Sequence, residues 1–129
     1  MIIENVYITP LLKAFKKFET FRINTGTEQE KAGAIQAFEY CFELIWKIMK
    51  KLLEQRGKIA NSPKETFRMA ALEGFIHDAE IWFNFLKMRN LTVHTYEEDE
   101  ADKVVEILPL FSHEVVAFLK TIGVDDVGS

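Results

Sequence analysis

Apolar residues recur every three or four positions along most of the chain, which is the spacing of one buried face of an α-helix. The pattern covers residues 10–23, 27–57, 62–74, 75–91 and 99–122 and predicts four or five helices. In the last segment the apolar phase continues through Pro109, so we predict a single kinked helix there. The sequence therefore predicts an all-α protein built from few, long elements.

Three of the predicted helices begin with capping signals. Thr9 is the predicted cap of the first helix, and Pro10 follows it in the first turn. Thr27 followed by Glu30 matches a capping box, in which each side chain bonds the backbone N–H of the other residue. Ser62 and Glu65 repeat this spacing, and Pro63 occupies the first helical position, which proline favours. These signals predict where the second and third helices start.

The second helix carries two neighbouring apolar rows along its length. The first row is Ile35, Phe38, Phe42, Ile45, Met49 and Leu52, and the second is Ala34, Ala37, Cys41, Leu44 and Ile48. Together they make an apolar face wider than a surface helix needs. We therefore expect this helix to lie at the centre of a bundle or to be shared with a partner subunit.

Length and composition indicate one folded domain. A chain of 129 residues with 48% hydrophobic content is sufficient for a single core, so we assign residues 1–129 to one domain. Cys41 is the only cysteine, which excludes an internal disulfide and favours a role as core filler in a reducing compartment. No stretch has the features of a signal peptide or a membrane span. We expect a cytoplasmic protein without membrane association.

The charges are unevenly distributed, although the net charge is only −4. Residues 47–68 contain seven bases and two acids, whereas residues 97–129 contain nine acids and two bases. The basic region either faces an anion or is the solvated side of two helices. The acidic run at residues 97–100 would lie at the N-terminus of the last helix, where negatively charged side chains interact favourably with the helix dipole. Because this helix-capping role explains the acidic run, we predict no metal site there.

The segment Arg89-Asn90-Leu91-Thr92-Val93-His94-Thr95-Tyr96 carries most of the chemical information in the chain. The arginine guanidinium can donate two parallel hydrogen bonds to phosphate oxygens, histidine can accept or release a proton near neutral pH, and tyrosine can act as a nucleophile. On an unbroken helix Arg89 and His94 would lie about 140° apart, so convergence requires a helix end near Arg89 or Asn90. The structural alternative makes Arg89 and Asn90 a helix cap, with His94 and Tyr96 as half-buried loop residues.

This segment resembles the R-x4-H-x-Y signature of the HEPN superfamily, the small "higher eukaryote and prokaryote nucleotide-binding" helical domains. The second helix is similar to that of the nucleotidyltransferase substrate-binding proteins within that superfamily. The matching positions are Phe38-Glu39, Phe42-Glu43-Leu44 and Trp46-Lys47. The resemblance covers about residues 32–122.

The resemblance implies an antiparallel, up-and-down bundle of four or five helices that forms a homodimer and works with a separate, small nucleotidyltransferase subunit. This chain has no Gly-Ser turn followed by an Asp-x-Asp pair, so we expect ATP and magnesium to bind the partner and no cofactor to bind here. In one implied role the chain is a substrate-binding subunit of a two-component, toxin–antitoxin-like system. In the other it is a ribonuclease toxin that the partner silences by attaching AMP to Tyr96.

The two roles use the same motif. In metal-independent RNA cleavage, His94 would be the acid or base and Arg89 the phosphate clamp, with a second histidine supplied by another protomer. His77 and His113 are alternatives for that histidine, although a structural role suits each of them better. Asn90 would orient the phosphate or His94.

In the binding role, Arg89 and Asn90 would hold a substrate or nucleotide phosphate without turnover. Tyr96 and Trp82 would then offer stacking surfaces. A third possibility is a non-catalytic assembly protein whose motif only builds the dimer interface. These three alternatives predict the same helices, so the sequence leaves them open.

Overall fold

A computed structural model of the protein describes residues 1–125, so residues 126–129 of the predicted domain lie outside the described part. About 74% of these described residues are helical. The helices are α1 (Thr9–Arg22), α2 (Glu28–Gln55), α3 (Pro63–Leu72), α4 (Ala79–Leu91) and α5 (Glu98–Thr121). Successive helices pack side by side, and α5 also contacts α1 and α2, which closes the bundle. The predicted all-α, up-and-down bundle is confirmed.

The capping signals of α2 and α3 act largely as predicted, whereas the predicted Thr9 cap was wrong, because Thr9 is the first residue of α1 and Ile8 is its N-cap, without a side-chain hydrogen bond. Thr27 Oγ1 accepts a hydrogen bond from Glu30 N at 3.0 Å, and Thr27 N donates to Glu30 Oε1 at 3.0 Å, so the first capping box is complete. Ser62 Oγ accepts from Glu65 N at 3.1 Å. The Glu65 carboxylate, however, accepts from Asn61 N at 3.1 Å, one residue earlier than the motif predicts.

Two local predictions were wrong or incomplete. The fourth helix begins at Ala79 and not at Phe75, because Gly74 turns the chain at φ +79° and Asp78 caps the helix by accepting from Glu80 N at 2.9 Å. Phe75 is buried in the connection before it. The helical pattern also did not predict a short hairpin, in which Ile2–Ile3 pairs with Val6–Tyr7.

The last helix continues through Pro109, as the apolar phase predicted. A kink at this proline stays a prediction. The acidic run also lies where it was expected, with Glu97 as the N-cap and the next three residues in the first turn. Within residues 1–125, no helix has the length and hydrophobicity required to cross a bilayer.

The buried residues of α2 and the aromatic residue Phe111 of α5 lie at the centre of the hydrophobic core. All residues of the first apolar row of α2 are buried, and in the second row only Leu44 is half-buried. Cys41 is fully buried, which agrees with its predicted role as core filler. Since α1, α3 and α5 cover both rows, α2 is central, and its wide apolar face does not by itself require a partner subunit.

Candidate functional site

The helix break predicted within the motif is present and is held by side chains. Helix α4 ends at Leu91, a single 3₁₀ turn spans Thr92–His94, and α5 starts at Glu98. Thr92 Oγ1 donates to the Arg89 carbonyl at 2.7 Å, and Thr95 Oγ1 donates to the Thr92 carbonyl at 3.0 Å. Because Thr92 caps the helix, the alternative in which Asn90 is the cap is wrong. Asn90 is exposed in the last turn of α4.

His94 and Tyr96 lie side by side on the surface after the break. Their ring centroids are 6.3 Å apart, and the rings meet edge to face at 66°. His94 is exposed, and Tyr96 is 80% exposed, so neither is the half-buried loop residue of the structural alternative. Their functional groups are open to a ligand or to another protein.

Arg89 is oriented by α2 and not by the other motif residues. Its Nε lies 3.3 Å from Glu43 Oε1, although the two groups are not aligned as a hydrogen bond. The other oxygen of Glu43 accepts a hydrogen bond from Trp46 Nε1 at 3.2 Å. Glu43 is thus a site residue that sequence reasoning missed, although it lies in the family-like stretch of the second helix.

An open groove between α1 and α2 reaches this ion pair. Its volume is about 600 Å³. Its lining includes Lys17, Phe21, Gln36, Tyr40, Glu43 and Arg89. Phe21 is 37% exposed and Tyr40 is 61% exposed, so the groove presents aromatic surface next to the motif arginine.

Within one chain, the predicted site residues are therefore only partly assembled. His94 and Tyr96 form a pair, Arg89 pairs with Glu43, and within residues 1–125 no side-chain hydrogen bond joins Asn90 to any of them. Trp82, considered above as a stacking surface, is fully buried against Phe85 at a ring distance of 5.0 Å and cannot serve there.

The two other histidines lie away from the motif. His77 Nδ1 is 3.6 Å from Glu114 Oε1, and His113 Nε2 is 3.9 Å from Glu114 Oε2. From the start of α5 to His113 the helix rises by about 22 Å, at 1.5 Å per residue. Neither histidine can therefore supply the missing acid or base to His94 of the same chain.

The surroundings of the motif are acidic. Residues 97–106 contain six carboxylates and one lysine. Two of these carboxylates are paired, Asp102 with Lys31 at 2.9 Å and Glu100 with Lys103 at 3.2 Å. Within residues 1–125, no group of three or more histidine, cysteine or acidic side chains has the geometry of a metal site.

Comparison with known proteins places these features in a family. Residues 7–123 match the family described as "Nucleotidyltransferase substrate binding protein like". A probable ribonuclease HepT from Haemophilus influenzae is 39% identical over 75 residues, which are 54% of this chain and 51% of that protein. The match thus spans about half the length of that relative.

Two solved structures are similar to most of this chain. One, from Thermus thermophilus, has a TM-score of 0.82 and 31% identity, covering 88% of this chain and 98% of the other. The second, from Haemophilus influenzae, has a TM-score of 0.80 and 29% identity, covering 90% and 98%. That structure is said to reveal the fold of a substrate-binding domain of a nucleotidyltransferase.

Proposed function

Since this chain belongs to the family of nucleotidyltransferase substrate-binding-like proteins, we propose that it is the helical, substrate-binding partner of a small nucleotidyltransferase in a two-component, toxin–antitoxin-like system. The observation that carries this proposal is the exposed pair of His94 and Tyr96 at one end of the bundle. A separate catalytic subunit can reach both side chains without any movement of the core. The partner would bring ATP and magnesium, and this chain would bring the acceptor.

Tyr96 is the acceptor in this proposal. A phenol is almost fully protonated at neutral pH, so it needs a base before it can attack phosphorus. The phenol oxygen would form a bond to the α-phosphorus of ATP while the α–β phosphoanhydride bond breaks and pyrophosphate leaves. The phenolic proton would pass to His94 or to a base of the partner. The attached AMP would place an anion near Arg89 and cover His94.

The test is mass spectrometry of the protein after incubation with its cognate transferase, ATP and magnesium. We expect an AMP adduct on the wild type and none on Tyr96→Phe. Tyr7→Phe is the matched control, because Tyr7 is 60% exposed but lies outside the motif. If Tyr96→Phe gains the same adduct as the wild type, the acceptor assignment is wrong.

A second candidate function is metal-independent RNA cleavage, which the similarity to a probable ribonuclease favours. His94 would take the proton from the 2′-hydroxyl or give one to the leaving 5′-oxygen, and Arg89, with Asn90, would hold the phosphate between them. A single chain offers one motif histidine. A complete acid–base pair would therefore use His94 from each of two protomers.

Cleavage of RNA in EDTA by protein with unmodified Tyr96 tests this function. We expect His94→Ala to lose about 10²–10⁴-fold in rate, as removal of a general acid or base does. Because His94 is exposed, its loss should leave the unfolding temperature nearly unchanged. His113→Ala, also an exposed histidine, should keep full activity. Wild-type protein that never cleaves RNA under these conditions would rule the ribonuclease function out.

We also propose that the chain forms a homodimer through the groove between α1 and α2. The groove combines exposed aromatic surface at Tyr40 with the ion pair at Arg89, so a second copy there would bring two motifs together. A stable interface should bury more than about 1,000 Å². Tyr40→Glu should therefore give monomers in sedimentation at micromolar concentration. Leu72→Glu, at an 87% exposed site on α3, should not.

A monomeric wild type would contradict the dimer and, with it, the shared acid–base pair. It would leave the transferase-partner role intact, since that role needs only one exposed motif. The two proposals can therefore fail separately.

A further inference from the structure

A cavity of about 330 Å³ lies at the opposite end of the α4–α5 pair from the motif. The helix rises by about 24 Å from the start of α5 to Glu114, so this cavity is separate from the site proposed above. Its walls combine apolar side chains with a few polar ones. The lining includes Phe75, Ile76, His77, Glu114, Phe118 and Thr121.

Glu114 contributes to this lining a carboxylate that has no close donor. The residue is only 4% exposed, and within residues 1–125 no lysine or arginine pairs with it. The histidine nitrogens beside it, His77 Nδ1 at 3.6 Å and His113 Nε2 at 3.9 Å, are beyond ordinary hydrogen-bond distance. A buried carboxylate without a close donor destabilises a fold, so a binding function would explain its presence.

The Glu114 oxygens remain accessible to a ligand, whereas the indole N–H of Trp82 does not. Within residues 1–125, the side-chain nitrogen and oxygen atoms that are sealed from solvent without a hydrogen bond are Trp82 Nε1 and Arg89 Nε. The oxygens of Glu114 also lack a hydrogen bond, yet they are not among these sealed atoms. The small accessible surface of Glu114 therefore includes its carboxylate, which a ligand in the cavity can reach.

The polar groups that a ligand can reach are all acceptors. An ionised Glu114 can only accept hydrogen bonds, and His77 Nδ1 accepts one when the imidazole proton is on Nε2. The Thr121 hydroxyl already donates to the Ala117 carbonyl at 2.8 Å, so its oxygen is left to accept as well. No lysine or arginine lines the described cavity, so an anion would meet uncompensated negative charge. The ligand must therefore bring positive charge and hydrogen-bond donors.

The cation that suits these walls is an organic one. A metal ion needs several ligands at once, and within residues 1–125 no group of three or more histidine, cysteine or acidic side chains has that geometry. The cavity also presents the apolar side chains of Phe75, Ile76 and Phe118, which a bare ion would leave without a contact. A cationic group on a short apolar body would satisfy both parts of the lining.

We propose that this cavity binds a small primary amine, as its alkylammonium ion, through Glu114 and His77. An ammonium group has three donors, which match the two carboxylate oxygens and the imidazole nitrogen. His77 Nδ1 and Glu114 Oε1 are 3.6 Å apart, less than twice an ordinary hydrogen-bond length of about 2.9 Å, so one nitrogen can bond both atoms. The cavity is at the small end of ligand pockets, which hold roughly 300–1,000 Å³, and therefore suits a short amine. The proposal does not depend on the function proposed for the motif.

NMR titration of the Trp82 indole signal tests the proposal. The chain has two tryptophans, so Trp46→Phe leaves a single indole N–H signal. The Trp82 side chain lines the cavity, so this signal reports a ligand there without bonding it. We expect n-butylamine at neutral pH to shift the signal saturably, with a Kd of about 1 mM or below.

Two analogues of n-butylamine separate its charge from its donors. The uncharged n-butanol has a similar size and should bind at least tenfold more weakly, as expected when hydrogen bonds to a charged group lose their charge. The n-butyltrimethylammonium ion keeps the charge but has no N–H donor, so it should also bind at least tenfold more weakly. Only the primary amine combines both features.

Two pairs of variants in the same background identify the recognising groups. Glu114→Gln should weaken n-butylamine binding at least tenfold, whereas Glu106→Gln, at an exposed site on the same helix, should bind like its parent. His77→Ala should weaken binding about threefold to tenfold, for one lost hydrogen bond, whereas His113→Ala, outside the lining, should not. Since Glu114→Gln removes a buried charge, it should unfold at no lower temperature than its parent, which separates lost binding from lost folding.

Three outcomes would overturn the proposal. If n-butylamine at roughly 10 mM gives no saturable shift of the Trp82 signal and no saturation transfer, the cavity holds only water. If Glu114→Gln binds the amine as well as Glu106→Gln does, the carboxylate is not the recognition group. If n-butanol or n-butyltrimethylammonium binds as tightly as n-butylamine, the cavity does not recognise a primary ammonium group.

Discussion

Replacing Phe111 with alanine should destabilise the bundle more than any change at the motif. Phe111 is fully buried, and its ring meets Phe18 of α1, Phe38 of α2 and Phe85 of α4 edge to face at 4.9–5.3 Å. Truncating such a residue costs about 3–5 kcal/mol, from lost burial and the cavity left behind. Unfolding entropy of about 2.1 cal/mol/K per residue gives roughly 0.27 kcal/mol/K for 129 residues. The unfolding temperature should therefore fall by roughly 11–19 °C.

Urea unfolding and calorimetry of the same samples would measure this loss. Leu110→Ala is the matched control, because Leu110 precedes Phe111 on the same helix but is 40% exposed, and it should cost about 1 kcal/mol or less. A loss below about 1.5 kcal/mol for Phe111→Ala would refute the reasoning, because it would mean that the four helices do not depend on this ring.

Three further predictions concern local interactions. Arg56 donates a hydrogen bond to Glu4 and thereby lowers the pKa of the Glu4 carboxyl. The stabilisation from this pair is therefore present above the pKa of Glu4 in the unfolded chain and is lost as the pH falls through its pKa in the folded protein. In Arg56→Gln, NMR should show Glu4 titrating at a higher pH than in the wild type. Burial raises the pKa of the Cys41 thiol to about 12, so mass spectrometry should detect alkylation by iodoacetamide at pH 8 only in unfolded protein. Thr27→Ala should lower the free energy of unfolding by about 1 kcal/mol in urea, and Thr27→Ser should restore most of it.

The helix boundaries were predicted best where a capping side chain in the sequence marks the first turn of the helix. The starts of α2 and α3 follow from Thr27 and Ser62, whose side chains bond backbone groups only three residues away. The start of α4 was placed too early because Phe75 continues the apolar spacing. Its burial comes from tertiary packing of a loop, which periodicity cannot distinguish from a helical face.

The N-terminal hairpin was missed for a related reason. Its strands are two residues long, too short for an alternating pattern to be recognised. Its turn depends on positive φ angles at Glu4 and Asn5, of 47° and 64°. Glutamate is an uncommon residue for that conformation, so the sequence contains no strong turn signal at this point.

The candidate site shows the same division between local and distant information. Arg89, His94 and Tyr96 could be selected from the sequence because eight consecutive residues contain them. Glu43 could not, because only the packing of α2 against α4 brings it to 3.3 Å from Arg89. Sequence reasoning identified the motif, whereas the partners that restrain it required the structure.

The charges around the motif bear on the choice between the two proposed functions. An RNA strand approaching His94 would meet Glu97, Glu98 and Asp99, which are exposed, while the motif cation Arg89 is already paired with Glu43. Repulsion of the phosphate backbone would therefore oppose cleavage by an isolated chain. In the proposed complex, a triphosphate would arrive with magnesium bound to the transferase, so part of its negative charge would be neutralised before it met these carboxylates. The electrostatics of one chain thus favour the transferase-partner role, and ribonuclease activity would require a second protomer to contribute positive charge.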